Sequence, residues 1–305
     1  MKGTRRKGVT VVAHRLLLAA LDEVVGVSVV RGASVKPPGD IVTVNTLNRG
    51  ADAVLRIAKA ANEYGPVSVV TAEVASIIDS EAQMVVQRDF DEAIWEEMVA
   101  GLRHQGRVTA NYVVLMALGG VSAAVGLVSE PVPQVTAFVA ASIIAPAFEP
   151  SAKIPLGLTL RRWQVFRGGL VSVAIGYTVL ILAAALTFLL LRALGATTVA
   201  ALVENPEVER LAHPAVADLL VSVVGAVSGI TIVAAYRRSV IAGPLILLAL
   251  VPAAALTGAA LAAGQLQLAW DGAQRLALDV VLIIVISAIV IALKQLLVHR
   301  RVPLL

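Results

Sequence analysis

Within the apolar run "SIIAPAFEPSAKIP" (142–155) stand one acid, one base and three prolines: Glu149, Lys153, Pro146, Pro150 and Pro155. An acid and a base four residues apart can pair with each other or, in an apolar setting, bind a cation, a proton or a polar solute. Proline lacks a backbone N–H and turns the preceding residue away from helix, which frees carbonyl oxygens as further ligands. Three readings are open. In the first, Glu149 lies in the inner third of a membrane span and Lys153 extends its amine to the cytoplasm, both merely finishing a kinked helix. In the second, the two side chains pair inside a helix bundle. In the third, Glu149 and the freed carbonyls bind a small solute or ion on a path through the membrane. Pro146, Pro150, Lys153, Ser142 and, from a later apolar run, Pro252 complete the candidate set. Asn111, Ser151, Ser228 and Thr231 could add oxygens, although hydroxyls also satisfy helix backbones in lipid.

Other chemistry is excluded by what is missing. No His-Glu-x-x-His, Gly-x-Ser-x-Gly, Walker loop or Ser-His-Asp arrangement occurs, so neither catalysis nor ATP-driven transport is expected. His14 stands without a catalytic partner, and the chain has no cysteine, so no disulfide or thiolate metal site can form. No catalytic, cofactor-binding or metal-ligating residues are assigned. Asp218 and Asp279 fall near the outer ends of their apolar runs and read as interfacial.

The elements that must hold these residues follow from composition. The chain has 305 residues, of which 58% are hydrophobic and 15% charged, against about a quarter charged in a soluble domain. That balance describes an integral membrane protein, with the lipid bilayer as its solvent. The net charge of +4 matches the lysine and arginine excess of cytoplasmic loops, and nucleic acid is not expected as a partner. Arg15 and His14 interrupt the first apolar run, so a signal peptide or twin-arginine leader is not expected either.

Charge is concentrated before Ala110. The order "VTVVAH" (9–14), "RLLLAALDEVVG" (15–26), "VSVVRGASV" (27–35), "DIVTVNTL" (40–47), a helix over 48–65 and "PVSVVTAEV" (66–74) predicts a ferredoxin-like βαββαβ domain over residues 1–80. Residues 81–109 read as an amphipathic connecting helix: Asp89 and Glu92 have capping-box spacing, and Phe90, Ile94, Met98 and Leu102 make a stripe. Residues 110–305 hold six apolar segments, at about 110–128, 134–160, 167–192, 214–236, 239–265 and 275–297, each near the twenty residues a span requires.

Positive charges fall on alternate connections. Arg103 and Arg107 precede the first span, Arg161, Arg162 and Arg167 follow the second, Arg237 and Arg238 the fourth, and Lys294, Arg300 and Arg301 the sixth. This places both termini in the cytoplasm, with Asp271 and Arg275 in an outer loop. A continuous helix over 134–160 would run about 40 Å, against a hydrocarbon core of about 30 Å, so a break there is expected. Pro146 precedes Trp163 much as Pro252 precedes Trp270, with an arginine soon after each tryptophan. Either two three-span halves repeat in opposite topology, or an Ala/Leu-rich chain matches itself by chance.

The stretches "NYVVLMALGGVSAAVGL" (111–127), "VAASIIAPAFEPSAKIPLGLTL" (139–160) and "LALVPAAALTGAAL" (248–261) resemble the integral-membrane family catalogued as domain of unknown function 389. The resemblance spans nearly the whole chain, the small module included. In that family the second span reads Gly-Ala-Met, then apolar residues, then Pro-x-x-x-Pro. Ala140, Ala141 and Ser142 stand where Gly-Ala-Met would, Pro146 and Pro150 match the pair, and Glu149 replaces a small residue. The resemblance implies fold and topology and supplies no catalytic residues.

The expected protein is therefore an α-helical membrane protein of six transmembrane helices, preceded by a small α+β ferredoxin-like cytoplasmic domain. It is expected in the plasma membrane, assembled as a homo-oligomer and carrying a small solute or ion without a cofactor. The alternative is a non-transporting, membrane-anchored sensor or assembly protein.

Overall fold

A computed structural model of the chain describes residues 24–33, 39–63, 67–71, 95–235 and 242–297. The chain divides into two compact units, Met1–Glu97 with His299–Leu305, and Met98–Val298.

In the first unit the β-branched runs pair as expected. Strand β1 (Val24–Ala33) lies antiparallel to β2 (Gly39–Thr46), with Val29 opposite Val42 and Ser28 opposite Thr43. Residues 24–26 belong to this strand instead of to a preceding helix, because Val24 and Gly26 find partners at Thr46 and Asn45. Helix α1 (Asn48–Ala61) packs on β2. The strand expected over 66–74 is not present where that segment is described. Residues 67–71 are irregular, and the Val67 N–H donates to Asn62 Oδ1 at 3.1 Å instead of to a neighbouring strand. Among the described residues the sheet has two strands; the strand expected at 9–14 and the helix start at 15–23 lie outside them. So do Asp89, Phe90, Glu92 and Ile94; of the helix expected over 81–109, residues Trp95–Gln105 form α2, with Met98 and Leu102 buried.

The second unit is a helix bundle. Helix α3 (Ala110–Leu127) begins at Thr109, whose hydroxyl accepts the Tyr112 N–H. The second apolar segment is broken: α4 (Pro131–Ile144) and α5 (Phe148–Thr159) meet at 47°. Ala145, just before Pro146, is extended (φ −80°, ψ 118°), the conformation that a following proline favours. Pro150 sits in the first turn of α5, where no helical N–H is required, and so does not break it. Pro155 lies inside α5 without ending it; the interruption expected there is absent.

Helix α6 (Trp163–Ala193) follows a tight turn in which Arg162 N–H reaches Gly157 C=O at 2.7 Å and Arg161 takes φ 54°. Two short helices, α7 (Val199–Val203) and α8 (Pro206–Ala212), fill the long loop before α9 (Val216–Ala234). Helix α10 (Ala242–Ala263) is continuous through Pro252, which therefore does not repeat the break at Pro146. Its neighbours explain why. Ala253, Ala254 and Ala255 are strong helix formers, whereas Pro146 is followed within four residues by a second proline. The last helix, α11 (Leu266–Leu297), starts earlier than expected and takes in Asp271 and Arg275.

Among the described residues four helices, α3, α6, α9 and α11, are long and apolar enough to cross a membrane, and the bent pair α4–α5 makes a fifth candidate. Their outward faces agree. Val114, Leu118, Val121 and Val125 on α3, and Val281, Val285, Ile289 and Leu293 on α11, form exposed stripes at helical spacing. Such continuous apolar surface is untenable in water and expected against lipid. The chain is a multi-pass membrane protein by these features.

Helix α10 sits at the centre, against α3, α4, α6, α9 and α11, with Leu250 to Ala260 buried without exception. Small side chains permit this. A Cβ on Gly258 would come within 2.1 Å of Ile181 O, and one on Gly120 within 2.5 Å of Leu180 O, so α10 and α3 both close onto one stretch of α6. Helix α5 lies between α6 and α11, as α10 does.

Candidate functional site

The break at residues 145–147 places polar groups inside this bundle. It lies about 21 Å from the start of α4 and about 18 Å from the end of α5, at 1.5 Å per residue. The Ala147 carbonyl at the break accepts from the Tyr177 hydroxyl and the Ser151 hydroxyl, both at 3.3 Å. Glu149 opens α5, where the helix N-terminus favours its charge. Its Oε2 is shielded and has no hydrogen-bond partner among the described residues.

Lys153 is not left to solvent. It is buried, and its amine donates to the Gly106 carbonyl just beyond α2. The Ser172 hydroxyl donates to the same oxygen at 2.8 Å. The reason is space: Gly106 has no side chain, and a Cβ there would lie 3.0 Å from the Lys153 amine. Tyr112 donates to Ser172 O at 2.8 Å, so α3, α5 and α6 are tied together around this lysine.

The other expected participants divide. Ser142 is buried, but its hydroxyl serves Phe138 O on its own helix at 2.7 Å. Asn111 and Thr231 are exposed and Ser228 is partly so, which leaves Ser151 as the hydroxyl that the break brings to Tyr177. Pro146 and Pro150 shape the break, while Pro252 lies in the unbroken α10.

A second polar cluster was not expected. Arg275 and Asp279, read as loop and interface, are both buried inside α11, with 4% and 1% exposure. Arg275 Nε meets Asp279 Oδ2 at 2.9 Å, and Arg275 Nη2 donates to Ser222 Oγ of α9 at 2.9 Å. Arg275 Nη1, Asp279 Oδ1 and, further along the same helix, Ser287 Oγ have no hydrogen-bond partner among the described residues. Asp279 lies about 20 Å from the start of a helix about 48 Å long, so it is not at an end. The i, i+4 spacing of Arg275 and Asp279 was the available signal. Asp218, by contrast, lies in the first turn of α9, where it accepts from Arg210 at 3.0 Å and caps the Ala215 N–H. Outside the spans, Glu207 and Asp218 raise the affinity of the Arg210 guanidinium for its proton.

No group of three or more His, Asp or Glu side chains suited to a metal ion occurs among the described residues. The arrangement can exchange protons or bind a small polar species, and no nucleophile–base pair is assembled within it.

Residues 142–285 match the family model described as Domain of unknown function (DUF389). The chain resembles the DUF389 family. The DUF389 match opens at Ser142, just before the break, and closes inside α11. It therefore takes in Glu149, Lys153, Tyr177, Arg275 and Asp279, and leaves Tyr112 and Gly106 outside. Neither the curated proteins nor the solved structures gave a match.

Proposed function

We propose that the membrane region carries a small solute or ion across the bilayer, along a path that passes the α4–α5 break and Glu149. One observation carries this reading: a carboxylate oxygen without a partner is buried beside a broken helix in an otherwise apolar bundle. Ionisable groups at such positions are costly in lipid and are kept where they face a pathway. In reconstituted vesicles, Glu149→Gln should lower flux by about tenfold or more, or remove its pH dependence, while the protein elutes as a folded species. Unchanged flux in folded Glu149→Gln would take the residue out of the path. Failure of the intact protein to pass any ion or solute would favour an anchored sensor or assembly protein instead.

The proposed topology has six spans: α3, α4–α5, α6, α9, α10 and α11, with both termini in the cytoplasm of the plasma membrane. Support for two inverted halves comes from packing. Helices α5 and α10 each lie between α6 and α11, and the tryptophans near the starts of those two long helices, Trp163 and Trp270, are 58% and 59% exposed. Exposed tryptophans there suit anchors at opposite interfaces. The chain has no native cysteine, so single cysteines can report the sides. Ser129→Cys and Arg162→Cys should react with an impermeant maleimide from opposite faces; reaction from one face would overturn the topology.

The module over 1–80, joined through 81–109, is proposed to regulate the chain or assemble it into a homo-oligomer. Its β1–β2–α1 order is the middle of the βαββαβ sequence, which supports a ferredoxin-like domain. No catalytic activity is proposed for either part.

A further inference from the structure

We propose that the inward face of α11 and the facing side of α9 form a hydrated lane, a binding site for water and other small uncharged hydrogen-bonding molecules. It is separate from the α4–α5 break and does not depend on the path past Glu149.

The inward face of α11 is polar over most of a membrane's thickness. From Arg275 onward its buried residues are Arg275, Asp279, Ile283, Ser287, Ile291 and Lys294. Arg275 and Lys294 stand 19 positions apart, about 29 Å at 1.5 Å per residue, against a hydrocarbon core of about 30 Å.

Both ends of this face address α9. Arg275 Nη2 donates to Ser222 Oγ at 2.9 Å, and the Lys294 amine donates to Ala234 O. Between those two contacts the buried face of α9 is Gly225, Ala226, Gly229 and Ile230. None of these side chains can satisfy a polar group on α11.

Polar atoms on α11 are accordingly left over. Arg275 Nη1, Asp279 Oδ1 and Ser287 Oγ have no hydrogen-bond partner among the described residues, and their residues are 4%, 1% and 0% exposed. Ser287 departs from the other hydroxyls of the bundle. A helical serine or threonine can turn back to the carbonyl one turn before it, and Ser142, Ser151, Thr187 and Thr257 all do so. Buried groups without partners are costly. A molecule with one donor and one acceptor fills Asp279 Oδ1 and Arg275 Nη1 together, as a water does. Charged species fit less well: a cation would meet Arg275 and Lys294, one at each end, and an anion would meet Asp279.

Room for such molecules comes from α9. This helix packs on α10 and α11 and turns Leu220, Val221, Val224 and Val227 outward, so it can shift toward lipid with little repacking elsewhere. Its small residues at 225, 226 and 229 leave no interlocked side chains to withdraw. Its two ties to α11 run through the long side chains of Arg275 and Lys294, which stay attached while the backbones part.

The chain has no native cysteine, so single cysteines in the full chain, reconstituted in lipid vesicles, test the lane. The probe is iodoacetamide, which is small, polar and uncharged and attacks ionised thiols. Ser287→Cys and Ile283→Cys lie on the lane, Leu180→Cys in the dry contact of α6, and Val285→Cys on the outward face of α11. Both lane cysteines should react at least about tenfold faster than the other two, because a thiol ionises readily only where water reaches it. Adding Arg275→Met with Asp279→Leu should slow Ser287→Cys by about tenfold, toward the dry value. If Ser287→Cys does not elute as a folded species, Ile283→Cys carries both comparisons. Equal rates at lane, dry and outward positions would overturn the lane. A lane rate unchanged by Arg275→Met with Asp279→Leu would overturn it too, by assigning the reactivity to general breathing of the bundle. A dry lane leaves the path past Glu149 standing, and a hydrated lane in vesicles that carry no solute or ion leaves the lane standing without the transport reading.

Discussion

Gly258→Leu should yield little or no folded protein. A Cβ at this position would stand 2.1 Å from Ile181 O, and that atom belongs to backbone, which cannot rotate away. Overpacking against movable side chains costs about 1–3 kcal/mol, and here α10 and α6 would have to separate. Separation would also loosen α3, whose Gly120 closes on the adjoining Leu180 O. Total stability of about 5–15 kcal/mol leaves little margin for such a loss. Fluorescence-detected gel filtration of detergent extracts should show aggregate in place of a single peak, or a Tm lower by about 5–10 °C. Gly101→Ala is the control: no atom lies within 4 Å of its added Cβ, and the peak and Tm should not fall. A normal Gly258→Leu peak would mean that α10 does not approach α6 this closely.

Arg275→Met should be the most damaging change of a charged residue. It leaves Asp279, 1% exposed, without its guanidinium partner, and removes the donor to Ser222 that joins α11 to α9. Breaking a buried pair from one side costs about 3–5 kcal/mol, while replacing both partners with apolar groups is often neutral. Arg275→Met with Asp279→Leu should therefore recover most of the loss seen in Arg275→Met alone. Arg210→Ala removes an exposed pair with Glu207 and Asp218 and should leave the Tm unchanged. Thermal unfolding of the variants in one detergent compares them. A double variant no more stable than the single would show that the ion pair itself holds the helices.

Both variants concern features of different legibility. Span positions could be read from apolar runs, because lipid requires about twenty apolar residues and a satisfied backbone. Residues 110–128 became α3 almost unchanged. The break at Pro146 was readable as well, since the constraint on the residue before proline is local and acts on Ala145 directly. Pro252 shows the limit of that rule. The same residue type in α10 left the helix continuous, surrounded on its buried faces by neighbouring helices.

The candidate site was legible in part. Glu149 announced itself as an acid in an apolar run, whereas Asp279 was taken for an end residue because α11 extends back to Leu266. The module illustrates the reverse error: 67–71 has strand-forming residues, yet a side-chain bond from Asn62 takes the Val67 N–H.

By itself the sequence determined a membrane protein, the approximate edges of its spans and the break before α5. These follow from forces that act along the chain, hydrophobic length and the backbone chemistry of proline. Tertiary structure alone decided which polar groups meet. Lys153 finds Gly106 O, Tyr177 reaches Ala147 O at the break, and Asp279 is buried with Arg275 and Ser222. Those contacts join residues far apart in sequence, and their energies depend on burial and distance, which only the packed helices fix.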